Sequence, residues 1–443
     1  MFPTPSEALP LKPIPGSYGL PLFGAIKDRL DYFYNQGKDE FFSTRAEKYQ
    51  STVFRTNMPP WPFYCSKIRK SLLFLMQYHS QSSLTLPKSK NLTFLMALTC
   101  PLCLSQEGTE TCLSQMFVDI EDGMGSKKTA SFNDPSDAMS FNFVFRLFCG
   151  KDPSKTKLGS EGPAAVNKWL GLQLAPLATL GFPKFLKHFE DLLIHTFPIP
   201  FFPVKSDYKK LYDAFYASSG SVLDKAESLG IDRDEACHNL VFIAGFNAYG
   251  GMKAWFPTLI KWVGQAGEKL HSQLANEIRS VVKEEGGVSF QALEKMTLTK
   301  SVVYEALRIE PGVPFQYGKA KEDIVINSHD AAYEIKKGEM IFGYQPFATK
   351  DPKIFDHAEE FVGHRFVGEG ENLLKYVYWS NGRETEDPTV GNKQCPGKDL
   401  VVLLSRLLLV DLFLRYDTFT VETAVLPFGS SVTITSLIKA TST

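Results

Sequence analysis

The stretch NKQCPGKD, residues 392–399, sets a lone cysteine between a turn and the apolar run LVVLLSRLLLVDLFLRY. A cysteine beside a helix N-terminus has its thiolate favoured by the helix dipole and by unpaired N–H groups. That makes Cys395 a candidate nucleophile, redox thiol or metal ligand, set against the plainer reading of an inert buried thiol. Pro396 and Gly397 impose a tight turn that lets N–H groups point at the sulfur, and such bonds tune a metal–thiolate bond. Lys393, two residues upstream, could pair with an anionic group of a bound cofactor. Farther back, SVVYEALRIEPG places Glu305 and Arg308 three apart, on one helix face where they can pair. The common alternative for such a pair is a weak, solvated surface contact. FATKDPKIFDHAEEFVGHRF then brings Arg365 just before Phe366.

These residues need elements to hold them. Residues 25–50 read as one amphipathic helix, and STVFRTN (51–57) as a short strand. Helix follows helix from about 130 to 310. Short strands are expected in DIVINS and YEIKKGEMIFGY, helix again over 396–416, and strands in the tail FTVETAVLPFGSSVTITSLIKA. The expected fold is mainly α with a small β part, a single large domain over 1–443.

Composition narrows the classes. The 443 residues carry 48 basic and 49 acidic side chains, so no bulk charge points to nucleic acid. Hydrophobic residues make up 44%, enough for a large core, and the 35 Phe would suit an apolar pocket or simply an aromatic core. The seven cysteines (65, 100, 103, 112, 149, 237, 395) form no spaced disulfide framework, which suggests a reducing, intracellular setting. The start, MFPTPSEALPLKPIPGSYG, has neither an apolar signal core nor an Arg-rich transit character. No apolar window is long enough to span a bilayer, so the expected location is cytoplasmic or peripheral to a membrane or lipid body.

Taken in order, the Glu-x-x-Arg helix, the Asp-Pro and Arg-Phe stretch and the Cys-x-Gly loop resemble the cytochrome P450 pattern. The resemblance implies haem b ligated by the Cys395 thiolate, near Gly397, with Glu305, Arg308 and Arg365 forming the buried ion network that fixes the cysteine loop. Two departures narrow it. The span from Trp379 to Cys395 is longer than the usual cysteine loop by about nine residues. The stretch AGFNAYGGMKAWFP (244–257) lacks the acid–threonine pair that delivers protons to bound dioxygen, and offers Asn247, Gly250 and Gly251. A site so built suits a substrate whose O–O bond already exists.

Both departures, with LPLKPIPGSYGLPLFG, LDYFYNQGKDEFF, FGYQPFATKDPKIF and RFVGEGENLLKYVYWSNG, resemble the plant CYP74 clan. That clan rearranges fatty-acid hydroperoxides without O₂ or a redox partner. The resemblance implies that Asn247 hydrogen-bonds the hydroperoxide oxygens, that Gly250 and Gly251 let the central helix pass close to haem and acyl chain, and that Lys393 meets a haem propionate. FNAYGGMK and PFQYGKAKEDIVI look most like the 9/13-hydroperoxide lyases, which cleave 9- or 13-hydroperoxides of linoleic and linolenic acid to an aldehyde and an oxo-acid. Allene oxide synthase and divinyl ether synthase are the alternatives on the same substrates.

One segment departs from everything around it. Residues 62–112 contain no Asp and no Val but ten Leu and seven Ser, and hold no helical or strand period. LTCPLCLSQEGTETC resembles a clan stretch read one base out of frame. About 45 residues of the clan pattern are missing before MFVDIEDGM resumes it. The segment reads as a frameshift or mis-splicing followed by a deletion, with an inactive remnant as its extreme consequence.

Overall fold

A computed structural model describes residues 9–19, 23–56, 106–179, 182–196, 199–329, 331–380, 382–389 and 394–441. The anomalous segment therefore lies almost wholly outside the described residues, and so does Lys393. By its internal contacts the chain gathers into two compact units. One takes residues 1–84, 175–199 and 314–347; the other takes 85–174, 200–313 and 348–443. Because the units trade the chain back and forth, no single boundary exists for composition to reveal.

In the first unit the helix expected over 25–50 is two. Helix α1 (Phe23–Leu30) runs into a π-turn at Asp31–Asn35 and ends before α2 (Lys38–Tyr49). Gly37 separates them at φ 83°, a conformation that a side chain would resist and that breaks helical continuity. The strand expected over 51–57 is reduced to one bridge, Arg55 with Gly16. A Cβ on Gly16 would lie 2.5 Å from the Arg55 carbonyl, so this close approach depends on glycine. Two antiparallel ladders complete the unit, β2 (Phe315–Lys319) with β5 (Met340–Tyr344) and β3 (Ile324–Asn327) with β4 (Ala332–Ile335). Phe42 stacks on Tyr344 at 4.6 Å and on Phe342 at 5.6 Å, which seats α2 on the first ladder.

The second unit is mostly helical, as expected. Its described helices include α3 (Gln106–Lys127), α4 (Asn133–Cys149), α5 (Gly162–Leu174), α6 (Lys205–Ser218), α7 (Gly220–Ser228), α8 (Arg233–Phe242), α9 (Gly250–Ala266), α10 (Glu268–Glu285), α11 (Phe290–Lys295), α12 (Thr297–Ile309) and α13 (Lys398–Arg415). The caps explain several boundaries. Asp232 accepts from the Asp234 and Glu235 amides to open α8, and Ser289 accepts from the Ala292 amide to open α11. Gly286, at φ 74°, closes α10. Helix α9 buries Met252, Trp255, Phe256, Leu259, Ile260 and Val263, the spacing of one helical face. The Trp255 Nε1–H donates to Ser405 Oγ of α13 at 2.7 Å. A three-stranded sheet, β1 (Ala130–Ser131), β7 (Gly429–Lys439) and β6 (Tyr416–Leu426), packs against α9 and α10. Among the described residues, no helix is long and apolar enough to cross a membrane.

Candidate functional site

Cys395 is half-buried, just before α13. Burial pushes its thiol pKa up, while the Gly397 N–H bonded to the sulfur pulls it down. The turn closes through Lys398 N–H donating to the Cys395 carbonyl at 3.1 Å. Among the described residues no cluster of His, Cys, Asp and Glu could hold a metal ion. A single amide-supported sulfur at a helix start suits a metal that arrives with its other ligands already bound, and haem is such a group.

The carboxylate–arginine network is closed and buried. Glu305 and Arg308 side chains are 0% exposed. Arg308 Nε donates to Glu305 Oε2 at 2.7 Å and Nη2 to Oε1 at 2.8 Å, while the remaining N–H groups reach the carbonyls of Thr349, Ala358 and Glu360 at 2.7–3.0 Å. All five guanidinium donors are thus used. Arg365 Nε donates to both Glu305 oxygens, and the Val362 amide adds a further bond at 2.8 Å. Ser301, four residues before Glu305, accepts from the Phe366 amide and donates to the Gly363 carbonyl. One face of α12 therefore grips residues 349–366, and the surface-pair reading is excluded.

The direct ties of the cysteine loop are different ones. Tyr304 Oη–H of α12 donates to Glu384 Oε1 at 2.8 Å, and Trp379 Nε1–H donates to the other oxygen. Lys398 Nζ donates to the Glu384 carbonyl at 3.0 Å. Gln394, beside the cysteine, donates to the Arg383 and Glu386 carbonyls. The lengthened loop is thus pinned from within by Glu384, which joins α12 to the start of α13. Burial raises the Glu384 carboxyl pKa, against the lowering influence of Tyr304, Lys398 and Trp379. Sequence reasoning missed Glu384 because in GRETED it is one acid among several, each of which reads as solvated.

The second part of the site is a π-turn, Ile243–Tyr249, spliced between α8 and α9. Such bulges recur at functional positions. A Cβ on Gly245 would lie 2.8 Å from the Trp169 ring of α5, so glycine lets the turn press on that helix. Tyr249 is wholly buried and donates to Asn167 Oδ1 at 2.8 Å. Asn167 Nδ2 donates to Asp137 Oδ2 at 3.0 Å, and Lys253 Nζ donates to the same oxygen. Burial, then Asp137, pushes the Tyr249 phenol pKa up, so it remains a donor. Asn247 is exposed, and its side-chain amide has no hydrogen-bond partner among the described residues, while its carbonyl accepts from the Gly250 N–H. A Cβ on Gly251 would meet nothing within 4 Å, so space lies open beside that helix face.

The structure therefore groups Glu305 with Arg308 and Arg365 and sets Cys395 beside Gly397; of the two glycines after Asn247, Gly251 faces open space, whereas a Cβ on Gly250 would meet the Leu170 side chain of α5 at 3.5 Å. The cytochrome P450 family profile matches residues 268–436, which hold the carboxylate–arginine network and the cysteine loop. Across 98% of its length the chain is 52% identical to allene oxide synthase 3 of Solanum lycopersicum, covering 96% of that protein. It is 48% identical to the chloroplastic allene oxide synthase of Arabidopsis thaliana over 99% of its length and 91% of the relative's. To the 9-divinyl ether synthase of Capsicum annuum it is 47% identical, over 99% of both chains.

Proposed function

Because the chain belongs to the cytochrome P450 family, in its plant CYP74 clan, we propose that it is an allene oxide synthase. The coarse function is an enzyme acting on fatty-acid hydroperoxides, with haem as cofactor and no redox partner. The finer reading is dehydration: the O–O bond breaks, the oxygen left on the chain closes an epoxide on the neighbouring carbon, that carbon gives up its hydrogen as a proton, and the proton leaves with the released hydroxide as one water. Substrate and products balance, so no outside oxidant or reductant enters. Haem, when bound, supplies the iron that cleaves the O–O bond, with Cys395 as its thiolate. Gly397 supports that sulfur through its N–H. Asn247 offers an unspent amide donor to the hydroperoxide oxygens, and Gly251 leaves room for the acyl chain beside it.

The observation that carries the use of a hydroperoxide is the π-turn with Asn247 as its exposed polar side chain and no acid or threonine beside it. The three relatives named above carry synthase names, so the synthase reading leads over the lyase suggested by FNAYGGMK. Divinyl ether synthase is the second reading, supported by the Capsicum relative. Incubating the haem-loaded protein with 9- and 13-hydroperoxides of linoleic acid decides between them. An allene oxide traps water to give a ketol; a divinyl ether or an aldehyde with an oxo-acid in its place would transfer the assignment to the ether synthase or the lyase.

The reading extends to residues 61–112. The alignment with the tomato relative runs over 471 positions while using 98% of the 443 residues, leaving gaps opposite this chain. Gaps of that extent fit the loss of a stretch, which we place beside the out-of-frame segment. Restoring the clan pattern there raises haem per protein and hydroperoxide turnover together. Equal loading and turnover in both forms would mark the segment as a genuine variant.

A further inference from the structure

We propose that Tyr249 is the positioning residue that aims Asn247, acting through the hydrogen-bonded chain Tyr249–Asn167–Asp137–Lys253. The proposal rests on Asn247 facing the substrate, as read above.

The register makes the case. Tyr249 and Lys253 are four apart, so they share one face at the start of α9. Each is tied to one member of a linked pair: Tyr249 donates to Asn167 of α5, and Lys253 donates to Asp137 of α4, to which Asn167 also donates. Gly245, four residues before Tyr249, meets α5 at Trp169 and Val166 on that side. Asn247 is two residues from both Gly245 and Tyr249, about half a turn round the helix. With 245, 249 and 253 held against α4 and α5, Asn247 points the other way, and it is exposed.

The π-turn needs such a clamp. It carries one residue more than an α-helical turn. Returning to α register would rotate what precedes by about 100° relative to α9. Gly245 restrains the front of the turn by shape, and Tyr249 restrains the back by its hydroxyl. Tyr249 is fully buried and its hydroxyl is paired, so losing that oxygen leaves Asn167 Oδ1 without its donor and the turn without its rear restraint.

The test is a cycle of Tyr249→Phe, Asn247→Ala and the double variant in the haem-loaded full chain. Four readings are taken: haem per protein, the ferrous carbonyl spectrum, hydroperoxide turnover per haem, and amide hydrogen exchange over 243–249. Tyr249→Phe is expected to keep haem content and spectrum and to lower kcat roughly threefold to tenfold, with KM little changed. Exchange over 243–249 speeds up. In the Asn247→Ala background the Tyr249 substitution adds nothing further, because its effect is routed through Asn247. Asn167→Leu, which breaks the chain from α5, reproduces the Tyr249→Phe result if the latter folds poorly. Wild-type kcat and exchange in Tyr249→Phe, or additive losses in the double variant, would overturn the proposal. If Asn247→Ala itself turns over like wild type, the substrate-facing reading of Asn247 falls first, and the proposal falls with it.

Discussion

Around Glu305 the charges are sealed. Two arginines close on one carboxylate, side chains of Glu305 and Arg308 are fully buried, and the remaining donors end on backbone carbonyls of 349–366. At the π-turn the Asn247 side chain is exposed and unbonded, while Tyr249 two residues on is held. The first arrangement makes a scaffold whose geometry is over-determined. The second leaves the Asn247 amide unspent beside a Tyr249 tied to the neighbouring helix. A metal ligand benefits from rigid support, whereas a group that must bond a reacting oxygen has to keep its donor free until substrate arrives.

Substitutions can break or sharpen this contrast. Glu305→Ala should have the largest effect, since it strands Arg308 and Arg365 with no carboxylate. A loss of about 3–5 kcal/mol is expected, read as a shifted denaturant midpoint or as loss of soluble protein. A midpoint unchanged from wild type would mean the network adds nothing net. Cys395→Ala should abolish the thiolate-type carbonyl band while far-UV circular dichroism keeps the helical signal. Survival of that band would remove Cys395 as the ligand. Asn247→Ala should leave haem content intact and lower turnover per haem by about a hundredfold, the scale for one lost donor at a reacting oxygen. Unchanged turnover would leave Asn247 only the role of a helix-bulge residue.

The smallest effect belongs to Glu384→Gln, which keeps an acceptor for Tyr304 but opposes the Trp379 donor, at about 1–2 kcal/mol. It also carries a pH signature. Burial raises the folded-state pKa of Glu384 above its ordinary 4.5. The folded state therefore holds this proton more tightly than the unfolded chain does. Stability from this group is greatest below the ordinary carboxylate range and declines as pH rises through the raised pKa. Unfolding free energy measured from acid to neutral pH should lose that downward component in Glu384→Gln. Identical profiles would show that Glu384 is not titrating in this window.

Much of this was legible in the chain, for identifiable reasons. Cys395, Gly397, Glu305, Arg308 and Arg365 are short-range signals in which type and spacing already state a geometry. Gly37 could have been read as the break in the 25–50 helix, but continuous amphipathic spacing on both sides outweighed it. Strand β2 escaped because FQYGK shows no clean alternation and acquires its identity only by pairing with β5. Of the strand expected at 51–57, Arg55 alone among the described residues finds a backbone bridge. Tyr249, Asn167, Asp137 and Lys253 are spread over 117 positions of sequence on four elements, and only packing brings them together. Glu384 was hidden by its acidic neighbours; burial alone distinguishes it.

The central claim is that this haem-thiolate site consumes a hydroperoxide using only the oxygen the substrate brings. The most direct measurement is the loss of conjugated-diene absorbance when haem-loaded protein meets a linoleic acid hydroperoxide under anaerobic conditions, without reductase or reduced nicotinamide. The account predicts rapid loss, proportional to the fraction of protein showing the thiolate carbonyl band. Absorbance that stays constant until O₂ and a reductant are added would contradict it and make the protein a conventional monooxygenase.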